Sequence, residues 1–310
     1  MTKVCLQAPA KINLYLQVLG RRDDGYHLLA TLMQKLHLFD LVEIEINAGG
    51  VTLDCPDSDL PRNKENIALR AAHLFLRTYA SRLPRDFGVH ITLRKHIPIA
   101  AGLGGGSSDA AAVLVGLDGI FQTNIAQDEL AAIGVKLGAD VPFFIYDWPV
   151  AWATGIGDRL SEAVGLKNVL VLLVNPGFSV STKLIYEKLA LTLNEKKINL
   201  KNSQFRDVWN VDNPFAGRLF TPDDLRNDLE QVTSSLFKEI VDIKEQLLAA
   251  GASCALMSGS GATVFALFDK GAHEQAMICY KQLAEVYEYV FLTQPLSNEL
   301  DRFSAPEKIE

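Results

Sequence analysis

A chain of 310 residues, 48% of them hydrophobic and 22% charged, can bury one large core or two ordinary ones, which excludes intrinsic disorder. Its net charge of −7 supplies no general basic field, so nucleic acid and membrane surfaces are not expected partners, and any phosphate must be held by local devices. Cys5, Cys55, Cys254 and Cys279 stand far apart, with no CxxC pair and no histidine cluster at metal spacing, so neither a zinc site nor a disulfide scaffold is suggested. Reduced thiols fit a cytoplasmic protein, as does the want of a signal-peptide pattern or of an apolar run near the ~18 residues of a membrane span.

Residues 11–18 alternate, with Ile12, Leu14, Leu16 and Val18 on one face and Lys11, Asn13, Tyr15 and Gln17 on the other, which predicts a half-buried strand whose polar face carries a lysine and an amide. A turn follows at 20–25, where Asp24-Gly25 suits positive φ, and short strands are predicted over 42–46 and 51–53. The pattern then predicts a helix over 66–79, a strand over 89–93 and helices over 110–121 and 128–137, the last stopped by Gly138. Beyond about Gly157 it starts afresh: a strand over 169–174, helical stretches from Thr182, one amphipathic helix over 229–251, and strands over 254–257 and 263–268 joined by Ser258-Gly259-Ser260-Gly261. A helix near 273–287 and a strand near 289–293 close the series. Mixed runs of this kind predict α+β architecture in both halves. The polar segment 194–213 reads as an irregular connection and 304–310 as a loose tail.

The most informative stretch runs from Pro98 to Ala112, where Gly102, Gly104, Gly105, Gly106, Ser107 and Ser108 precede a helix that opens on alanines. Several main-chain N–H groups can converge in such a loop, and the free amides and positive dipole end of the next helix favour an anion there, phosphate above all. No lysine follows the last glycine, so it is not a Walker A loop, and Ser107 breaks the dinucleotide fingerprint. Ser107, Ser108 and Asp109 offer oxygens to a metal, and an uncompensated Asp109 would repel phosphates, so a cation is expected nearby. The alternative is a flexible connector with a serine helix cap; it needs neither the apolar entrance at 97–101 nor the alanine-rich helix start.

The segment from Pro98 to Ala112 resembles the second motif of the GHMP kinases, the family of galactokinase, homoserine kinase and mevalonate kinase. Ala8-Pro9-Ala10-Lys11-Ile12-Asn13-Leu14 resembles the first motif, Leu137-Gly138-Ala139-Asp140-Val141-Pro142-Phe143 the aspartate motif, and Ser258-Gly259-Ser260-Gly261-Ala262 the third. Asp24-Gly25-Tyr26-His27 is similar to a segment of the branch whose acceptor is a cytidine-diphosphate-linked methylerythritol. The resemblance extends from about residue 7 to about residue 270.

It implies two lobes, a ribosomal S5-like ATP-binding domain over 1–160 and a ferredoxin-like domain over 161–310, with the site in the cleft between them. It implies ATP as phosphoryl donor with Mg2+, a small-molecule acceptor, and a monomer or weak homodimer. By the same resemblance Lys11 and Asp140 are catalytic, and Gly102, Leu103, Gly104, Gly105, Gly106, Ser107 and Ser108 hold the phosphates, Ser108 with a role toward the metal. Asn66, Ile67, Lys95 and Pro98 surround adenine and ribose, while Asn13, Tyr26, His27, Tyr186, Gly259 and Ser260 contact the acceptor.

Plainer readings stand beside these. Lys11 suits a snorkelling surface lysine, Asp140 a cap before Pro142, Tyr26 and His27 a hairpin end, Tyr186 a core aromatic, and residues 258–261 a simple turn. The rival functions are a GHMP kinase for homoserine, mevalonate or a sugar, a nucleotide sensor without turnover, and a structural protein that retains the loop.

Overall fold

The computed structural model describes residues 2–22, 24–195, 213–215 and 220–297. The predicted tail at 304–310 and nearly all of the predicted connection at 194–213 lie outside these residues.

Two long strands form the backbone of the first half. β1 (Lys3–Arg21) and β2 (His27–Asn47) pair antiparallel along most of their length, far beyond the short strands predicted within them. The turn between them contains Gly25 at φ 90°, as Asp24-Gly25 led one to expect. Register shifts follow Pro9, Asn13 and Val18, so β1 bends repeatedly, as bulged strands do. On its other edge β2 has two partners, β5 (Val150–Thr154) against Thr31 to Gln34 and β4 (Gly88–Arg94) against Leu41 to Asn47. Between them β2 bonds a segment of the second half, the His37 N–H donating to the Gln294 carbonyl at 2.9 Å and the Leu296 N–H to the Lys35 carbonyl at 3.0 Å. With β3 (Val51–Asp54), β6 (Arg159–Glu162) and the two-residue β8 (Arg226–Asn227), they make a seven-stranded sheet.

Helices α1 (Ile67–Thr78), α2 (Gly105–Phe121), α3 (Gln127–Gly134) and α4 (Val141–Ile145) share one apolar core with β1, β2 and β4. A Cβ on Gly116 of α2 would lie 2.5 Å from Ile44 and 2.8 Å from Leu6, so the glycine lets the helix lie against the sheet. The second half is a four-stranded antiparallel sheet in the order β11 (Tyr289–Thr293), β7 (Val169–Asn175), β10 (Val264–Asp269), β9 (Cys254–Met257). It carries α5 (Thr182–Glu195), α6 (Glu230–Leu236), α7 (Glu239–Ala249) and α8 (His273–Ala284).

Two predicted helices differ. The helix expected to begin at residue 110 begins at Gly105, behind Gly104 at φ 73°, so Gly105, Gly106, Ser107 and Ser108 are its first turn. Low intrinsic propensity made them read as loop; a helix start tolerates this because its first amides have no intrahelical partner in any case, Ser108 being the one that bonds back, to the Gly104 carbonyl at 2.9 Å. The single helix expected over 229–251 is broken at Phe237, which is extended (φ −131°, ψ 92°) and stacks on Phe178 with ring centroids 4.7 Å apart. The apolar periodicity ran through the break because both pieces face the same core. Among the described residues no helix is long and apolar enough to cross a membrane.

Candidate active site

Strand alternation puts Lys11 and Asn13 on the same face of β1, yet they are 4% and 3% exposed: Gly104 and Asp140 stand against Lys11, and Thr31 and Gly259 against Asn13. The Lys11 ammonium donates to Asn13 Oδ1 at 2.6 Å and lies 3.4 Å from Asp140 Oδ2. Asn13 Nδ2 donates to the Thr31 hydroxyl at 2.9 Å, which in turn donates to the Tyr15 carbonyl at 2.6 Å. This directed chain fixes the lysine in one pose. Asp140 occupies the N-cap position of α4 but makes no capping hydrogen bond, so its carboxylate is left to Lys11 and to the cavity in front of it.

That cavity, about 800 Å3, is lined by Lys11, Asn13, Tyr26, His27, Asp140, Tyr186, Gly259 and Ser260. His27 and Tyr186 stack with centroids 4.8 Å apart and 25° between planes. Burial, then the charge of Arg21, lowers the His27 pKa and favours the neutral ring; its Nε2 is buried without a partner. Burial and the nearby Asp140 carboxylate push the Tyr186 hydroxyl up, so it stays protonated. A smaller cavity of about 350 Å3 is lined by Asn66, Ile67, Lys95, Pro98, Gly105, Gly106, Ser107 and Asp109. Gly102 and Gly104 line both cavities, so the two meet at the glycine loop.

Leu103 and Ser108 line neither. Leu103 is 1% exposed in the apolar core, and its carbonyl accepts the Lys11 N–H at 2.9 Å, tying the loop to β1. Ser108 is equally buried, and its Oγ has no partner. Asn66 caps α1, its Oδ1 accepting the Ala68 N–H at 3.0 Å.

The cation expected beside Asp109 is Lys95, whose ammonium donates to Asp109 Oδ2 at 2.6 Å and also bonds Asp40. Asp40 was not singled out from sequence, although a carboxylate set between Phe39 and Leu41 is a signal. It is fully buried, and its Oδ1 accepts the N–H groups of His96 at 2.7 Å and Ile97 at 2.9 Å, anchoring the chain just before the loop. Burial works against the Lys95 charge, but Asp109 and Asp40 outweigh it and hold the ammonium above its usual range. Burial pushes Asp109 up to about 7, opposed by Lys95 and aided by Asp40.

A carboxyl that titrates near 4 when unfolded and near 7 when folded binds more protons in the folded state, so on its account stability falls as pH rises from about 4 through about 7. Asp109→Asn is expected to flatten that slope: urea unfolding at pH 5 and pH 8 should show a smaller difference in the variant than in the wild type.

Against this geometry the likenesses to known proteins fall into place. Family models for the GHMP kinases N terminal domain and the GHMP kinases C terminal match residues 66–147 and 217–280. The 4-diphosphocytidyl-2-C-methyl-D-erythritol kinase of Syntrophus aciditrophicus is 49% identical over 262 residues, 84% of this chain and 88% of the relative. The chain belongs to the GHMP kinases. The kinase of the same name from Desulfotalea psychrophila is 43% identical over 296 residues, covering 94% and 95% of the two chains. A crystal structure of 4-(cytidine 5'-diphospho)-2C-methyl-D-erythritol kinase superposes with a TM-score of 0.73 at 31% identity, covering 95% of this chain and all of the other. A homoserine kinase from Cytophaga hutchinsonii, 20% identical, has a TM-score of 0.69 over 95% of each chain, a likeness of fold alone. This GHMP kinase is thus a two-lobed α+β phosphotransferase of a family that uses ATP.

Proposed function

We propose that this kinase transfers the γ-phosphoryl group of ATP to the 2-hydroxyl of 4-diphosphocytidyl-2-C-methyl-D-erythritol, giving the 2-phosphate, a step of the non-mevalonate route to isoprenoids. The observation that carries the reading is that the Lys11–Asp140 pair lines a cavity that meets a second one across Gly102 and Gly104. ATP occupies the smaller cavity, with adenine and ribose toward Asn66, Ile67, Lys95 and Pro98 and the phosphates against the first turn of α2, whose amides and dipole attract anions. The acceptor occupies the larger one. We assign residues 1–160 to the nucleotide-binding lobe and 161–310 to the second lobe.

Asp140 orients the acceptor hydroxyl and takes up its proton; Lys11, held by Asn13, pairs with Asp140 and steadies charge as it develops. Phosphoryl transfer has a loose transition state, so this positioning and the electrostatics outweigh base strength. The buried and unpartnered Ser108 Oγ and Asp109 Oδ1 fit Mg2+, which takes few protein ligands and completes its shell with phosphate and water. Bound there, Mg2+ would neutralise phosphate charge that the chain's net −7 opposes.

Supplying the diphosphocytidyl substrate with Mg-ATP should yield a product heavier by about 80 Da, one phosphoryl unit, by mass spectrometry. No such product, or a better rate on homoserine, mevalonate or a sugar, rejects the assignment. The cytidine side falls to Tyr26, His27 and Tyr186. Tyr186→Ala is expected to raise the inhibition constant of cytidine diphosphate about tenfold, as the loss of one stacking partner does, with the KM for ATP unchanged.

A further inference from the structure

The turn that carries Gly259 and Ser260 is held from behind by a residue that no motif marks. Asn227 lies on β8, opposite Leu16 of β1 in a parallel pair, and is 8% exposed. Its Nδ2 donates to the carbonyls of Met257 at 2.7 Å and Gly259 at 2.8 Å, and its Oδ1 accepts the Leu229 N–H at 3.0 Å. Thr233 of α6, fully buried, sets its hydroxyl 3.2 Å from the carbonyls of both Leu229 and Ser260. On the other flank the turn is bonded to the glycine loop: Ser258 Oγ donates to the Gly102 carbonyl at 3.0 Å and the Thr263 N–H to that of Ala101 at 3.3 Å.

In a planar trans peptide the C=O and the next N–H point in opposite directions. Gripping the Gly259 carbonyl therefore turns the Ser260 N–H away from Asn227, and both Gly259 and Ser260 line the larger cavity. The strand that bears Asn227 pairs with the one that bears Lys11 and Asn13, so a single side chain sets the turn relative to the reacting groups.

We propose that Asn227, backed by Thr233, is a positioning residue for the acceptor: it aims the Ser260 amide at the acceptor's diphosphate and keeps the turn in register with β1. The inference rests on the kinase reading above. Asn227→Asp nearly preserves volume and keeps the acceptor for the Leu229 N–H, but it replaces two donations with repulsion between a carboxylate and two carbonyls.

Steady-state kinetics of Asn227→Asp should show the KM for the diphosphocytidyl acceptor raised about tenfold or more, with the KM for ATP within about twofold. Thr233→Val, similar in shape but lacking the hydroxyl, should move the acceptor KM in the same direction by less, and Thr233→Ser should restore it; this pair carries the test if Asn227→Asp does not fold. A role in folding alone would lower the melting temperature and the active fraction without separating the two KM values. Equal shifts in both, or an unchanged acceptor KM in these variants of an active kinase, overturns the proposal. A wild-type protein that phosphorylates no acceptor overturns the kinase reading and this inference together.

Discussion

Asp140→Asn is expected to lower kcat by about 10²- to 10⁴-fold while the KM for ATP stays within about twofold, the signature of a group that acts on the acceptor proton and not on the nucleotide. The substitution keeps the shape of the side chain and removes its charge and basicity. Lys11 stays in place because its 2.6 Å bond to Asn13 does not depend on Asp140. The fold should survive as well: the Asp140 side chain is 35% exposed and makes no capping bond, and Lys11 keeps its bond to Asn13. Initial rates across ATP and acceptor concentrations, with a thermal melt as control, make the check. A variant that kept more than about a tenth of the wild-type kcat would remove Asp140 from the chemistry.

Gly102→Ala is expected to damage both cavities and the fold. Gly102 has φ 78°, which costs an L-residue about 1–2 kcal/mol, and its added Cβ would lie 2.3 Å from the Ser258 carbonyl oxygen and 3.1 Å from that of Gly261. Main chain cannot yield as a side-chain tip can, so the loop and the 258–261 turn must part and the Ser258–Gly102 bond is lost. We expect kcat/KM to fall by about 10²-fold or more, with a lower melting temperature. Gly106→Ala is the contrasting case, because the nearest atom to its Cβ is Ile67 Cγ2 at 3.5 Å, an ordinary contact. The protein accommodates that methyl group, so a raised KM for ATP with an unchanged melting temperature would report crowding of the phosphates themselves. Equal melting temperatures for Gly102→Ala and the wild type would contradict the steric account.

The parts of the site that could be read from the chain are those where one short segment carries the chemistry. The glycine loop announces an anion site because glycine, serine and a helix start are contiguous, and the Lys11-x-Asn13 pair is legible because alternation alone puts both side chains on one face. The resemblance to a known family joined these segments to Asp140, Tyr186 and the 258–261 turn, which no local pattern would have linked. Asp40 and Asn227 escaped for opposite reasons. Asp40 sits between Phe39 and Leu41 as an anomaly whose partner Lys95 is far along the chain. Asn227 sits in a polar stretch where an asparagine draws no notice, and the carbonyls it holds are 30 and 32 residues away. Phe237 shows the converse: the helical period predicted continuity, and the residue is instead extended with its ring stacked on Phe178.

The sequence by itself determined the α+β class, most strands and helices of both halves, the glycine-rich segment at residues 102–108 and the family to which the chain belongs. These follow from periodicity, turn chemistry and motif order, which act over a few residues at a time. Tertiary structure alone decided that Lys11 is buried and aimed at Asp140, that Lys95 bonds two acids beneath the loop, and that the two cavities meet at Gly102 and Gly104. Charges in a low-dielectric interior must find partners wherever the packed chain brings them, and that partnership is a property of distance in space that spacing along the chain does not encode.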